Sequence, residues 1–305
     1  MSGRRIWLSW AAALAAFTLF LALDTFVLAS TYQQNATEMN TALFDTSSGA
    51  ESAETRSSSQ PLSNTLSGYS YQDENISIEI TEVTWCNTQV YVADVELTSA
   101  KYLKTAFAGD TYGKNVTDKT SSIAAAHSAI LAVNGDFYGA RESGYVIRNG
   151  VVYRDSAGDG DVLCIYADGS FAIVDPRTVT AQELAEQGVW QAFSFGPALV
   201  EDGSIAISVG DEVGRAMASN PRTAIGVIEP GHYVLVVSDG RTSESQGLSL
   251  YELAELMQSL GVRTAYNLDG GGSSTMVFQN TVVNNPTTNG HHIKERSVSD
   301  IVYIG

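Results

Sequence analysis

Apolar and polar residues alternate cleanly along Ile76-Ser-Ile-Glu-Ile-Thr-Glu-Val-Thr84 and nearly as well along Val90-Tyr-Val-Ala-Asp-Val-Glu-Leu97. A period of two marks half-buried strands, so the pair reads as an antiparallel hairpin turning at Asn87-Thr88. Shorter apolar runs predict strands at 102–107, 129–133, 190–195, 223–228, 232–237, 263–268 and 298–304. Asn149-Gly150 between Val146-Ile-Arg and Val151-Val-Tyr marks a second hairpin, and Ala167-Asp-Gly169 a third. Helices are fewer. An alanine-rich run predicts one at 121–128, and 180–187 reads as another, with Gly188 near its end. Ser249-Leu-Tyr-Glu252 has capping-box spacing and opens a helix whose Leu253, Met257 and Leu260 share a face, with Gly261 placed to stop it. This last helix joins two strands, which predicts a parallel pair embedded among hairpins. The fold class is α+β: β-rich mixed sheets with a few flanking helices.

Two strands end in similar polar clusters, Asn134-Gly-Asp-Phe-Tyr138 and Asn267-Leu-Asp-Gly-Gly-Gly-Ser-Ser274. Strand ends are where a rigid scaffold presents residues to a ligand. Three successive glycines let backbone N–H groups approach an anion, with the Asp269 carboxylate at the lip of the cradle. Asp-Gly also makes ordinary tight turns, and Asp136 could equally be a turn or capping carboxylate. Arg222 opens a strand, where an arginine is usually solvated; facing an anion, its rigid fork of donors suits phosphate. Asp155-Ser-Ala-Gly-Asp159-Gly-Asp161 lacks the calcium-loop pattern and reads as a solvated turn. Adjacent His291 and His292 point apart on an extended chain, so no metal site is expected, and no cofactor.

Composition narrows the partners. A chain of 305 residues with 44% hydrophobic content can bury a sizeable core. The formal charge of −17, with no basic stretch to offset it, argues against a nucleic-acid partner. The two cysteines, Cys86 and Cys164, either pair or are buried as small hydrophobes. Arg4 and Arg5 precede an apolar run from Ile6 to Leu23, as in a signal anchor with its N-terminus inside; a cleaved signal peptide is the rival reading. Either way, the remainder is expected outside the cytoplasm. Residues 1–29 thus form a short cytoplasmic end plus the membrane anchor, 30–68 a Ser/Thr-rich linker, and 69–305 the folded domain. Nothing here sets the oligomeric state.

Asn134-Gly-Asp-Phe-Tyr138, Arg222-Thr-Ala-Ile-Gly226, Asp239-Gly, Gly247-Leu-Ser-Leu-Tyr-Glu-Leu-Ala254, Asn267-Leu-Asp-Gly-Gly-Gly-Ser273 and Arg296-Ser-Val-Ser-Asp300 occur in one order. From about Ile130 onward this order resembles the phosphodiester glycosidase family. The resemblance implies hydrolysis of the bond between a sugar anomeric carbon and a phosphodiester, with N-acetylglucosamine the sugar in the mammalian relative. Bacterial members are associated with cell-wall or extracellular polysaccharide, so a sugar-phosphodiester or polysaccharide is the implied partner.

A phosphodiester leaving group is a weak base and needs stabilisation of charge more than protonation. Arg222 and the N–H groups of Gly270, Gly271, Gly272 and Ser273 would supply it, with Arg296 or Arg241 as further donors. Asp136 and Asp269 would support the oxocarbenium-like centre or activate water, with base and nucleophile unassigned between them. Asn134, Gly135, Asp239 and Asn267 would hold sugar hydroxyls or orient neighbours. Two other classes fit less closely: a metal-dependent enzyme cutting the P–O bond, and a non-catalytic polysaccharide-binding or assembly protein of the same fold.

Overall fold

The alternating runs form the expected hairpin, Ile76–Trp85 against Thr88–Leu97, in register from Ile76↔Leu97 to Trp85↔Thr88. The turn is Cys86-Asn87, at φ 46° and 55°, one residue ahead of the expected Asn87-Thr88. A two-residue turn with both φ positive matches the strand twist. The β-branched Thr88 would be strained there; it is buried in the strand instead, its hydroxyl donating to the Gly247 carbonyl at 2.9 Å. Asn149-Gly150 makes the same kind of turn, at φ 51° and 77°.

This computed structural model describes residues 68–208 and 219–305. The anchor expected at 1–29 and the linker up to residue 67 lie outside the described residues. No described helix is long and apolar enough to cross a membrane.

Three sheets are present among the described residues. The largest has eight strands in the order Tyr69–Gln72, Ile76–Trp85, Thr88–Leu97, His232–Ser238, Thr223–Glu229, Thr264–Asn267, Ala198–Glu201 and Ser204–Ile205. A five-stranded sheet is built around Val189–Phe193, and another around Leu131–Asn134 and Asp300–Ile304. The parallel pair expected around the capped helix is not a ladder. His232–Ser238 and Thr264–Asn267 flank Thr223–Glu229, and each pairs with it antiparallel. They run the same way without bonding to each other.

The main core joins all three sheets: Ile78, Val95 and Leu235 of the large sheet cluster with Leu163 and Phe193 of the second and Val133 and Met276 of the third. One helix then covers the outer face of each sheet. Leu250–Ser259 buries Leu253, Leu256 and Met257 against Val90, Val234 and Val236. Thr120–Ala126 covers Ala132 and Ile301, and Ala181–Glu186 covers Ile147 and Cys164. The expected capping box, Ser249 with Glu252, is in place, and Thr180 with Glu183 forms a second one that the sequence pattern had not marked. Gly261, at φ 80°, follows the last helix. Both cysteines are free thiols, Cys86 exposed and Cys164 buried.

Candidate active site

The two polar clusters interlock where the sheets meet. Asn134 is fully buried and acts as a bracket: its amide donates to the Asp269 carbonyl at 2.6 Å, and its Oδ1 accepts from Thr223 Oγ1 at 2.8 Å and the Thr275 N–H at 3.2 Å. Asp269 N–H in turn donates to the Gly135 carbonyl at 3.2 Å. Asn267 is pinned from the other side, its amide on the Gly196 carbonyl at 2.8 Å. Each strand end therefore fixes the loop of the other.

A cleft of about 750 Å³ opens beside this junction. It is lined by Arg141, Arg222, Arg241, Arg296, Asn267, Asp269, Gly270 and Gly271, with Asp159, Asp161 and Glu201 also on its walls. Four arginines in one cleft stand out in a chain of net charge −17. Arg222 is buried, its Nε donating to the Leu248 carbonyl at 2.8 Å and its N–H to Ser238 Oγ at 2.9 Å. Arg241 is anchored through Nη1 to the Thr288 carbonyl at 2.5 Å and through Nη2 to Asn220 Oδ1 at 3.0 Å. Burial lowers its pKa, and the nearby Arg296 adds to the effect. Guanidinium groups close enough to repel one another favour an anion between them.

Arg296 clasps the glycine loop. Its Nε donates to Ser273 Oγ at 2.9 Å, and Nη2 reaches the Gly270 carbonyl at 3.0 Å and Asp269 Oδ2 at 3.1 Å. Asp269 is nine-tenths buried, and burial raises its pKa. Arg296, Ser273 and the Gly270 N–H oppose that rise by stabilising the ionised form.

The glycines do not form the expected N–H cradle. Gly271 N–H donates to the Pro221 carbonyl at 2.8 Å, Ser273 N–H to Gly270 at 3.3 Å and Ser274 N–H to Gly271 at 3.2 Å. Their role is space. A Cβ on Gly270 would stand 2.9 Å from the Pro221 carbonyl, and one on Gly271, at φ +63°, would stand 2.9 Å from Arg241 Nη2. Side-chain guanidiniums, brought close by missing Cβ atoms, replace the backbone donors.

Asp136 does not line the cleft. Its oxygens accept from the N–H groups of Tyr138 and Ser194, each at 3.1 Å, and Arg148 Nη2 lies 3.0 Å from Oδ1. Arg148 also holds Asp300, Nε to Oδ2 at 2.8 Å, and all three side chains are buried. Burial pushes the Asp300 carboxyl up to about 7, despite the opposing pull of Arg148. Gly135 allows this packing, since a Cβ there would meet Asp300 Oδ1 at 2.4 Å. Asp239 is also turned inward, onto the Asn285 N–H at 2.8 Å and the Asn284 amide at 3.2 Å. Gly272 and Ser273 support the loop from behind.

Of the residues singled out from sequence, the structure brings Asp269, Arg222, Arg241, Arg296, Asn267, Gly270 and Gly271 to the cleft. Asp136, Asn134, Gly135, Asp239, Gly272 and Ser273 stand behind it. No sequence pattern marks Arg141, or Arg148 as the partner of Asp136 and Asp300. Asp159-Gly-Asp161, expected as a solvated turn, lines the cleft. Among the described residues, no three His, Cys, Asp or Glu side chains are grouped to hold a metal ion.

The model of the phosphodiester glycosidase family matches residues 127–305. The chain is 30% identical over 226 residues to the SPbeta prophage-derived uncharacterized protein YomE of Bacillus subtilis, covering 70% of this chain and 35% of that protein. It is 29% identical over 174 residues to the N-acetylglucosamine-1-phosphodiester alpha-N-acetylglucosaminidase of Mus musculus, covering 52% of this chain and 33% of the mouse protein. The matched part thus spans about a third of the length of each of these relatives. In fold, the chain resembles the zebrafish N-acetylglucosamine-1-phosphodiester alpha-N-acetylglucosaminidase catalytic domain, solved auto-inhibited by its pro-peptide. That likeness has a TM-score of 0.61 at 22% identity and covers 78% of this chain and 87% of the zebrafish chain.

Proposed function

The chain belongs to the phosphodiester glycosidase family, and on that premise we propose that its cleft hydrolyses the bond between a sugar's anomeric carbon and a phosphodiester. The observation that carries this reading is the convergence of Arg141, Arg222, Arg241 and Arg296 with one nearly buried carboxylate, Asp269. As the C–O bond breaks, negative charge grows on the departing phosphodiester. Preorganised guanidiniums stabilise that charge, and each such donor is worth about 10²–10³ in rate in comparable oxyanion sites. Arg222 and Arg241 are braced by carbonyl and amide oxygens, so little reorganisation accompanies the reaction.

Asp269 serves the sugar side, either activating water or stabilising the oxocarbenium-like centre. Its pair with Arg296 favours the ionised form it needs for either task. Asp136 takes a positioning role: with Arg148 and Asp300 it fixes the strand end that carries Asn134, which brackets Asp269. Asn267, through its cleft-facing position, contributes to holding the sugar. The substrate we favour is an N-acetylglucosamine-1-phosphodiester-like unit of a cell-wall or extracellular polysaccharide. The basic-then-apolar N-terminus supports a place outside the cytoplasm on a membrane anchor.

The test is turnover of N-acetylglucosamine-1-phosphodiesters by the wild-type protein and by Asp269→Asn. The substitution should lower kcat by about 10²–10⁴-fold, the range of a lost acid–base group, while unfolding midpoints stay close. Near-normal turnover by the variant would sink the role given to Asp269.

A further inference from the structure

Beyond the main cleft, Arg141 also lines a second depression of about 280 Å³, together with Tyr112, Lys114, Tyr138, Glu142 and Arg154. Its charge is unbalanced. Lys114 pairs with Glu142, both exposed, so those two cancel. Neither Arg141 nor Arg154 has a carboxylate partner among the described residues. Arg141 uses Nη1 on the Ser194 carbonyl at 2.8 Å and lies over the Phe195 ring at 4.8 Å. Arg154 donates from Nε to the Gly144 carbonyl at 2.6 Å and from Nη1 to the Arg141 carbonyl at 2.7 Å. Its Nη2, like Arg141 Nε and Nη2, has no hydrogen-bond partner among the described residues. Two partly buried guanidiniums with free donors, in a chain of net charge −17, make a local anion site.

The lining is also aromatic. Tyr112 stacks on Tyr138 with ring centres 5.2 Å apart and planes at 14°, and Phe107 buttresses both rings at 5.7 and 5.3 Å. Tyr138 is itself buried, so the partly exposed Tyr112, backed by that stack, is the ring that suits a sugar carrying a charged group, the apolar sugar face against Tyr112 and the charge on the arginines.

We propose that this depression is a second subsite, which binds the neighbouring phosphate-bearing sugar of a linear polymer whose scissile phosphodiester occupies the main cleft. The inference rests on the sugar-phosphodiester reading of that cleft and extends it from an isolated diester to a repeating sugar–phosphate chain. Arg141, shared by both cavities, bridges the two units. The subsite adds binding energy along the polymer and leaves the chemistry of the first site untouched.

Binding is measured by calorimetry with two hydrolysis-resistant ligands, a single N-acetylglucosamine-1-phosphonate ester and its two-unit oligomer. The two-unit ligand should bind the wild-type protein roughly tenfold more tightly, about what one or two charge-assisted hydrogen bonds supply. Lys114→Glu, an exposed charge reversal, and Arg154→Gln should each remove most of that gain, and both should leave single-unit affinity unchanged. That unchanged affinity also reports an intact fold. Equal affinities in the wild type, or a gain that survives both substitutions, overturns the subsite while leaving the main-cleft reading standing. Failure of both ligands to bind overturns the main-cleft reading and, with it, this extension.

Discussion

Asp269 owes its chemistry to two opposing influences on one carboxyl group. Burial favours the neutral acid, and Arg296 favours the carboxylate. Burial dominates, so the group titrates above the usual carboxylate value of about 4. Because the ionised form acts, kcat/KM should rise with pH through a midpoint above that value. Arg296→Gln removes one of the influences holding the pKa down, so the midpoint should move further up and the plateau should fall. A kcat/KM–pH profile checks both; an unmoved midpoint would separate Arg296 from the function of Asp269. The same scale explains the glycine triplet. Glycine runs at strand ends suggest backbone donors, but here the missing Cβ atoms let Arg241 and Pro221 approach the loop. Sequence shows that glycines are required; it does not show which neighbour needs the room.

At the scale of elements, the Asp136–Arg148–Asp300 cluster ties the strand Val146–Arg148 to Asp300–Ile304 and to the turn after Leu131–Asn134. One guanidinium serves two buried carboxylates, so full ionisation leaves an uncompensated negative charge. The pH dependence follows from Asp300, whose pKa is raised from the ordinary 3.8 to about 7. Between those values the folded state holds a proton that the unfolded chain releases. Its contribution is therefore fully present below about 4 and is lost as pH rises through about 7. Asp300→Asn should flatten that part of the curve: relative to wild type, its urea midpoint should improve on going from pH 5 to pH 8. Parallel curves for the two proteins would contradict it. Arg148→Met strands both carboxylates and should cost about 3–5 kcal/mol at pH 8, measured by urea unfolding. A loss below about 1 kcal/mol would contradict the clamp. The cluster was hard to read from sequence for a physical reason. An arginine next to an Asn-Gly turn ordinarily points to solvent, and only the crossing of two distant strands buries it.

At the scale of the molecule, hydrophobic period and capping residues were the most legible signals, because they depend on local geometry. The strand pairs across Asn149-Gly150 and Ala167-Asp-Gly169, and the Ser249–Glu252 capping box, appear where the pattern puts them. The order of strands was less legible, since pairing across Thr223–Glu229 depends on residues far apart in the chain. The candidate site was legible as motifs, yet only part of each motif faces the cleft. Asn134, Asp136 and Asp239 are polar residues spent on holding loops together; Asp269 is buried as they are, and only its place on the cleft wall distinguishes it. The helix Leu250–Ser259 lies on the outer face of the large sheet. Leu253→Ala in its middle should therefore cost about 2–5 kcal/mol of stability while leaving KM near the wild-type value. The helix reaches the cleft through its first residue, Leu250, so a large KM change with intact stability would mean that Leu253 sets the position of Leu250 there.

Which bond breaks separates a phosphodiester glycosidase from a P–O phosphodiesterase. Hydrolysis of an N-acetylglucosamine-1-phosphodiester in ¹⁸O-labelled water, with both products read by mass spectrometry, decides it. Attack at the anomeric carbon predicts the label in the released sugar and unlabelled phosphate monoester. Label in the phosphate would mean P–O cleavage and would contradict attack at the anomeric carbon.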